Sequence, residues 1–237
     1  MTRARVRGIL FDKDGTLIDF RATWVPAYRG VADELADRLG GGAPMAAVLL
    51  ARQGYHLAVD EFADDSPLLW ETNEAIAAAW AATPEIAGRI DVLDVVLRHF
   101  SDLIRYPPQP VGDLEALLAR LRRRGLALGV ATMDDTAIAH AHLRHLGIAD
   151  SVDFVVGADA GHGAKPAPGM ARAFCAACGL DPAEVIVVGD TPADLLMARN
   201  AGCASAVAVL TGAMSAHVLM PLADRVMASV QEIEQLL

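Results

Sequence analysis

Short runs of apolar residues, each about as long as a β-strand, recur along the chain. The runs occupy residues 7–11, 126–132, 153–157, 185–189 and 205–210. Between most of them apolar residues return with helical spacing, as in Leu114, Leu117 and Leu121, and the helical segments end at a glycine. Strand and helix in alternation predict a doubly wound parallel sheet, a Rossmann-like core of the α/β class.

One connection is far longer than a crossover helix requires. More than a hundred residues separate the first two predicted strands, and no alternating run occurs among residues 19 to 110. Instead, apolar residues keep helical spacing in the segments 25–39, 45–59, 68–80 and 86–104. The proline-rich stretch 106–110 suits a stiff return linker. We therefore predict a core of residues 1–18 and 111–237 with an inserted all-helical cap domain, residues 19–110.

Composition and charge narrow the classes of function. Hydrophobic residues make up 54% of the 237 and charged residues 21%, which excludes a disordered chain. The net charge of −10 disfavours nucleic acid and anionic membranes as partners. The longest apolar stretch, 201–214, is too short and too interrupted for a membrane span, and the apolar stretch after the basic start, residues 1–7, is too short for a signal peptide. We expect a cytoplasmic protein that acts on a small molecule, while its oligomeric state stays open.

Pairs of carboxylates follow two of the predicted strands. Asp12 and Asp14 come directly after the first strand, where alternation predicts that they share one face and that Lys13 points away. Asp190 leaves the fourth strand, and Asp194 lies one turn into the helix that follows. Ligands bind at the carboxyl edge of an open parallel sheet, so all four should meet there. Oxygen ligands of this kind favour Mg²⁺ as the cation that balances them.

Two further polar residues complete this set. Thr132 ends the second strand, and Lys165 lies in the loop after the third. The chain contains only two lysines, Lys13 and Lys165, and uses arginine for its other basic residues, which suggests that a compact ammonium is needed at Lys165. With Mg²⁺ and Lys165 present, the four carboxylates are nearly neutralised, and a phosphate dianion could bind. Without the metal it could not.

The four motifs in this order resemble the haloacid dehalogenase superfamily, and the likeness is greatest to its phosphatases with a helical cap, the phosphoglycolate phosphatases among them. They are DxDGT after the first strand, Thr132 after the second, Lys165-Pro166 after the third and GDxxxD after the fourth. The resemblance implies that Asp12 is the nucleophile that forms an aspartyl-phosphate, and that Asp14 acts first as acid and then as base. Thr132 and Lys165 would hold the phosphoryl oxygens.

The same resemblance implies a ligand set for Mg²⁺. The Asp12 and Asp190 carboxylates and the backbone carbonyl of Asp14 would bind the ion, with Asp194 in support through water or Lys165. Two positions depart from the family pattern: Lys13 stands where many relatives carry an apolar residue, and Met133 stands where an Asn is common. Neither departure removes a catalytic group, but both leave the subfamily open.

The residues also bear on the other functions found in this superfamily. A dehalogenase lacks a second acid such as Asp14, and a phosphonate hydrolase needs a cap lysine that residues 19–110 do not contain. A phosphomutase of the β-phosphoglucomutase type stays open because it forms the same aspartyl-phosphate. A catalytically inactive binding module is disfavoured since every catalytic position is filled.

Substrate choice should lie with the cap and the loops beside the site. The candidates for substrate binding are Arg21, Arg52, His56 and His162, whereas Trp24 and Tyr55 are interpreted as packing residues. Cys175 and Cys178 form a CxxC spacing that we interpret as core packing, because it lies late in a helix and no second pair completes a zinc site. His140, His142 and His145 are interpreted as a solvated helix face.

Overall fold

The computed structural model describes residues 5–237, so residues 1–4 of the basic start lie outside the described residues. Its strands are β1 (Gly8–Phe11), β2 (Tyr55–His56), β3 (Glu61–Phe62), β4 (Ala127–Ala131), β5 (Phe154–Val156), β6 (Val185–Gly189), β7 (Ser205–Val209) and β8 (Arg225–Met227). Its α-helices are α1 (Phe20–Arg38), α2 (Gly42–Arg52), α3 (Asn73–Ala81), α4 (Val92–Ser101), α5 (Leu114–Arg123), α6 (Thr136–His145), α7 (Gly169–Cys178), α8 (Pro192–Ala201) and α9 (Ala216–Leu219).

Six of the strands form one parallel sheet in the order β5-β4-β1-β6-β7-β8. All five strands predicted from the apolar runs belong to it, and the predicted fold class is confirmed. The sixth strand, β8, was not predicted. It is three residues long at the sheet edge, and Arg225 and Val226 are exposed, so it leaves no apolar run in the sequence.

Apolar side chains of the strands and of α5 build the core of the sheet. Leu117, Leu118 and Leu121 of α5 are fully buried and belong to one cluster with Ile9 and Leu128. Their helical spacing is the one that the sequence displays, and it turns one face of α5 onto the sheet. Burial of this face fixes α5 against β1 and β4, whose carboxyl ends carry the polar residues discussed below.

The chain divides into two compact units. Residues up to Arg21 together with Pro108–Leu237 form the first, and Ala22–Pro107 form the second. These bounds assign residues 19–21 and 108–110 to the first unit, where the sequence analysis gave them to the insert. Among residues 5–237, no helix has both the length and the hydropathy that crossing a bilayer requires.

The second unit is mainly helical but not all-helical, which corrects the sequence prediction. β2 and β3 form a two-stranded antiparallel hairpin with Tyr55 opposite Phe62, and the two ring centroids lie 4.7 Å apart. The helix expected over 45–59 ends at Arg52, because Gly54 adopts φ +79°, which no helix accommodates. Tyr55 and Trp24 are both buried, as their interpretation as packing residues predicts.

The CxxC pair lies at the end of α7. Cys175 is buried and Cys178 half-buried, and both are free thiols. Burial raises the pKa of each thiol, which keeps it protonated and unreactive at neutral pH. This agrees with a packing role.

Candidate active site

The carboxyl ends of three neighbouring strands bring the predicted motifs to one edge of the sheet. Phe11, the last residue of β1, is paired with Val130 of β4 and Val188 of β6. Asp12 therefore leaves the sheet within one residue of the level at which Thr132 and Asp190 leave it. The backbone N–H of Asp12 still donates to the carbonyl of Val188, at 2.7 Å, and so fixes the start of the first motif.

Lys165 joins two of these carboxylates. Its Nζ donates to Asp12 Oδ1 at 2.5 Å and to Asp194 Oδ1 at 2.6 Å, and all three side chains are almost fully buried. The loop after β5 thus supplies the cation that the sequence predicted beside the first motif. Two charge-assisted hydrogen bonds hold the ammonium and also orient both carboxylates.

Asp194 is fixed by the amino end of α8. Its Oδ2 accepts from the backbone N–H of Thr191 at 3.1 Å and from Thr191 Oγ1 at 2.6 Å, and the Thr191 side chain in turn caps the Asp194 backbone. This reciprocal capping box leaves Oδ1 of Asp194 for Lys165. Pro192 at the first helical turn favours the same start point.

Asp190 lies in a cradle of backbone that sequence analysis did not identify. Its carboxylate lies so close to Gly15 and Gly212 that a Cβ at either position would overlap it. Thr16 Oγ1 donates to Asp190 Oδ1 at 3.5 Å, and Thr211 Oγ1 donates to the Gly15 carbonyl at 2.6 Å. The sequence marks Gly15 and Thr16 as candidate site residues, since both belong to the DxDGT motif. It does not mark Gly212, because only the fold brings this residue to Asp190.

The three carboxylates of Asp12, Asp190 and Asp194 form a group that suits a hard cation. One oxygen of each carboxylate lies within 4.8 Å of the corresponding oxygens of the other two, and all three residues are buried. Burial raises the pKa of Asp12 to about 7, with the neighbouring carboxylates adding to the effect and Lys165 opposing it. The pKa of Asp190 also lies well above its ordinary value, through burial and the charges of Asp12 and Asp194. These buried oxygens carry more negative charge than the single ammonium of Lys165 offsets, so they are a suitable donor set for a divalent cation.

Lys13 lies in a place that the sequence did not predict. Its ammonium does not point away from Asp14 but contacts both oxygens of that carboxylate, at 2.8 and 2.7 Å. The alternation rule failed because β1 ends at Phe11, so the backbone beyond it no longer follows the pleat. Lys13 Nζ also lies 3.2 Å from Asp134 Oδ2 and 3.1 Å from His142 Nδ1.

His142 is accordingly not part of a solvated face, although His140 and His145 are exposed as expected. His142 is 1% exposed. Burial and the charge of Lys13 lower the pKa of His142 to about 3, which keeps its ring neutral. For Lys13 itself, burial alone would lower the pKa, but the carboxylates of Asp14 and Asp134 outweigh it, and the pKa is raised.

Thr132 lies where the sequence predicted it, buried directly after β4. Its Oγ1 accepts from the backbone N–H of Asp134 at 3.1 Å. The turn that carries Thr132 therefore also carries Asp134, a partner of Lys13. Met133 between them is half-buried.

The four residues predicted to bind substrate are exposed or half-buried, unlike the buried residues described above. Arg52 is exposed and pairs with Glu85 of the same unit at 3.1 Å, and His56 is exposed on β2. Arg21 is half-buried at the start of α1, and His162 is exposed in the loop that precedes Lys165. Their part in binding substrate stays a prediction.

A parallel α/β core with a buried carboxylate group at the carboxyl edge of its sheet defines the class of protein. Residues 6–202 match the haloacid dehalogenase-like hydrolase family, described as a hydrolase. The chain belongs to this family, as its four motifs predicted.

The chain is also similar to phosphatases in sequence, and it shares its fold with a solved structure. The chain is 29% identical over 206 residues to a phosphoglycolate phosphatase of Neisseria meningitidis, an alignment that covers 84% of this chain and 79% of the relative. It is 29% identical over 210 residues to an N-acetylmuramic acid 6-phosphate phosphatase of Pseudomonas aeruginosa, covering 87% and 83%. The crystal structure of a HAD phosphatase from Thermococcus onnurineus shares the fold with a TM-score of 0.73 at 22% identity, over 98% of this chain and 97% of the other.

Proposed function

We propose that this hydrolase cleaves a small phosphomonoester through a phosphorylated form of Asp12. The observation that carries the proposal is the contact of Asp12 with Lys165 inside a buried group of three carboxylates. An ionised Asp12 repels the negatively charged phosphate of a substrate. It can attack the phosphorus atom only if nearby positive charge offsets that repulsion. Lys165, held by Asp194, supplies part of that charge at a fixed position.

The reaction has two transfers of the same phosphoryl group. In the first, an oxygen of Asp12 bonds to phosphorus, the bond from phosphorus to the ester oxygen breaks, and Asp14 gives its proton to that oxygen. In the second, water attacks phosphorus, Asp14 accepts a proton from the water, and the Asp12–phosphorus bond breaks to release inorganic phosphate. Thr132 and Lys165 donate hydrogen bonds to the phosphoryl oxygens during both steps.

We further propose that Mg²⁺ binds at this site. The carboxylates of Asp12 and Asp190 and the backbone carbonyl of Asp14 would hold it, with Asp194 in support through Lys165. When bound, the ion offsets the charge of the phosphate and of the buried carboxylates. The cradle of Gly15 and Gly212 around Asp190 supports this assignment, because it holds one ligand in place without side chains that compete for it.

For the substrate we propose a phosphomonoester that also carries a carboxylate. Phosphoglycolate and N-acetylmuramic acid 6-phosphate, the substrates that the two relatives are named for, differ in size but share both groups. Arg21 and Arg52 are the first candidates to meet the second anion. If neither Arg21→Ala nor Arg52→Ala raises the KM for such a substrate, the carboxylate is bound elsewhere.

Phosphate release with Mg²⁺ tests the function. The panel contains 2-phosphoglycolate and N-acetylmuramic acid 6-phosphate, each beside a matched compound without the carboxylate, 2-hydroxyethyl phosphate and N-acetylglucosamine 6-phosphate. Higher kcat/KM for both acids supports the proposed substrate class, and equal values contradict it. A chelator should stop release and added Mg²⁺ should restore it.

The same experiment separates the alternatives. Asp12→Asn serves as the inactive control. A phosphorylated Asp12 that forms from an activated phosphate donor without release from the panel favours a phosphomutase. Failure to form the phosphoenzyme at all favours a binding module.

A further inference from the structure

Lys13 is a buried cation that has no role in the reaction as proposed above. The chain has two lysines, and the structure buries both at the active-site edge of the sheet. Lys165 contacts Asp12, and Lys13 contacts Asp14. Each motif aspartate thus has an ammonium of its own, although arginine serves elsewhere in the chain.

The position of the Lys13 ammonium is fixed from several sides. Its side chain is 0% exposed. Besides Asp14, Nζ lies 3.2 Å from Asp134 Oδ2 and 3.1 Å from His142 Nδ1. His142 is neutral, so it accepts through Nδ1 in the tautomer that carries its proton on Nε2.

Asp134 and His142 are themselves held by the fold. The backbone N–H of Asp134 donates to Thr132 Oγ1 at the end of β4, and Asp134 Oδ1 accepts from the backbone N–H of Asp135 at 2.9 Å. His142 lies on the buried face of α6. Burying this much charge is unfavourable unless the ions are paired, and removal of one member would leave the others uncompensated. An apolar side chain at position 13 would fill the same space without that cost. The presence of a lysine there therefore indicates a function for its charge.

We propose that Lys13 is a positioning residue for Asp14, an inference that rests on the acid and base role assigned to Asp14 above. Lys13 Nζ contacts both carboxylate oxygens of Asp14 at nearly equal distance, which fixes the direction of the carboxylate. The Asp14 side chain is 19% exposed, whereas that of Lys13 is 0% exposed, so Asp14 is the member of the pair that solvent reaches. When Asp14 carries its proton, one oxygen keeps accepting from Lys13 and the other directs its O–H to the leaving oxygen.

Leaving groups of different basicity test this role. An alkyl phosphate such as 2-phosphoglycolate loses a basic alkoxide that needs the proton of Asp14, whereas 4-nitrophenyl phosphate loses a stable phenolate that does not. In Lys13→Met we expect kcat/KM for the alkyl phosphate to fall on the order of 10²-fold and that for 4-nitrophenyl phosphate by less than about tenfold. KM should change little, because Lys13 does not touch the phosphate.

Two further variants distinguish the loss of a positioning residue from a general folding defect. Lys13→Met/Asp134→Asn removes the cation together with one of its buried anions and should show the same difference between the substrates. Arg122→Met removes an exposed ion pair with Asp153 in the same unit and should leave both substrates unaffected. Thermal unfolding and circular dichroism are recorded for each protein.

The outcomes are distinct. An equal loss for both substrates in the double variant, or no loss for either, overturns the positioning role while the proposed function stands. A wild-type protein that hydrolyses neither compound, nor any other phosphomonoester of the panel, overturns the proposed function and this inference with it.

Discussion

Single charges decide the chemistry at the residue scale. Asp12 is buried and carries a raised pKa, so its ionised form is unfavourable until a cation accompanies it. Lys165 supplies one positive charge and Mg²⁺ is proposed to supply the rest. Asp12 is costly to ionise and is held in place by Lys165. These two properties are typical of a catalytic nucleophile rather than of a residue that stabilises the fold.

Asp12→Asn should therefore abolish turnover without unfolding the protein. Loss of the nucleophile should lower kcat on the order of 10³-fold or more, measured as phosphate release. Without a bound cation, burial raises the pKa of Asp12 from an ordinary 3.8 to about 7 in the folded chain. The folded chain then binds a proton that the unfolded chain has lost, and wild-type stability falls as the pH rises through this window.

The variant lacks this titration. Its melting temperature relative to wild type should accordingly be higher at pH 8 than at pH 5, both measured in chelator. A variant that is less stable than wild type at pH 8, yet equal at pH 5, would mean that the pairing with Lys165 outweighs the burial of Asp12.

At the element scale, the ends of strands and helices carry the site. β1, β4 and β6 end within one residue of each other, and α8 begins with the capping box of Asp194. The segment after β7 brings Gly212 against Asp190. The site thus lies where strands that are fixed by regular hydrogen bonding pass into irregular backbone. Small changes in these irregular segments should act on the cation rather than on the sheet.

Gly212→Ala tests this directly. A Cβ at this position would overlap the Asp190 carboxylate, which must move. We expect the Mg²⁺ concentration for half-maximal activity to rise about 10- to 100-fold, as for other residues that orient a metal ligand. The melting temperature in chelator should change little. An unchanged Mg²⁺ requirement would show that Asp190 adapts or that it is not a ligand.

The inserted unit has an ion cluster of its own, centred on Glu34 of α1. Glu34 accepts from Arg98 at 2.8 Å and from His99 Nε2 at 2.9 Å, both on α4. These hydrogen bonds, with that of Arg98 the largest cause, lower the pKa of Glu34 to about 2. A depressed acid pKa stabilises the folded state above the ordinary pKa and loses this effect as the pH falls toward 2.

Glu34→Gln should lower the melting temperature at pH 7, and the difference from wild type should shrink as the pH is lowered from 4.5 toward 2. Because Arg98 and Arg38 are about half exposed, the loss at pH 7 should stay near 1 kcal/mol or below. Asp94→Asn, which alters the other and more exposed partner of Arg98, is the matched control and should have a smaller effect. A difference that is independent of pH would assign the effect to packing.

How much the sequence could predict follows from what each feature depends on. The five strands with apolar runs depend on local periodicity, and the grouping of Asp12, Asp190 and Asp194 depends on the rule that ligands gather at the carboxyl edge. Both were predicted. The Tyr55–Phe62 hairpin depends on a single glycine conformation at Gly54, and β8 lacks an apolar run. The contacts of Lys13 and the burial of His142 depend on how α6 packs beside the first motif, which the spacing of neither segment reveals.

On the scale of the whole molecule, the chain carries a net charge of −10 and concentrates buried carboxylates at one edge of its sheet. Added salt should therefore stabilise the protein in two ways. Any salt screens the general repulsion among surface charges. Mg²⁺ should in addition bind the folded state at the carboxylate group and not the unfolded chain, which stabilises by mass action.

The two effects can be separated by thermal unfolding. Millimolar MgCl₂ should raise the melting temperature of the wild type more than NaCl at equal ionic strength does. Asp190→Asn keeps nearly all of the surface charge but loses a proposed ligand, so it should keep the response to NaCl and lose the excess with MgCl₂. If both salts act alike on the wild type, the carboxylate group is not a Mg²⁺ site of useful affinity in the absence of substrate. Adding inorganic phosphate with MgCl₂ then decides whether the ion binds only together with the anion, as expected for an ion whose coordination a substrate phosphate completes.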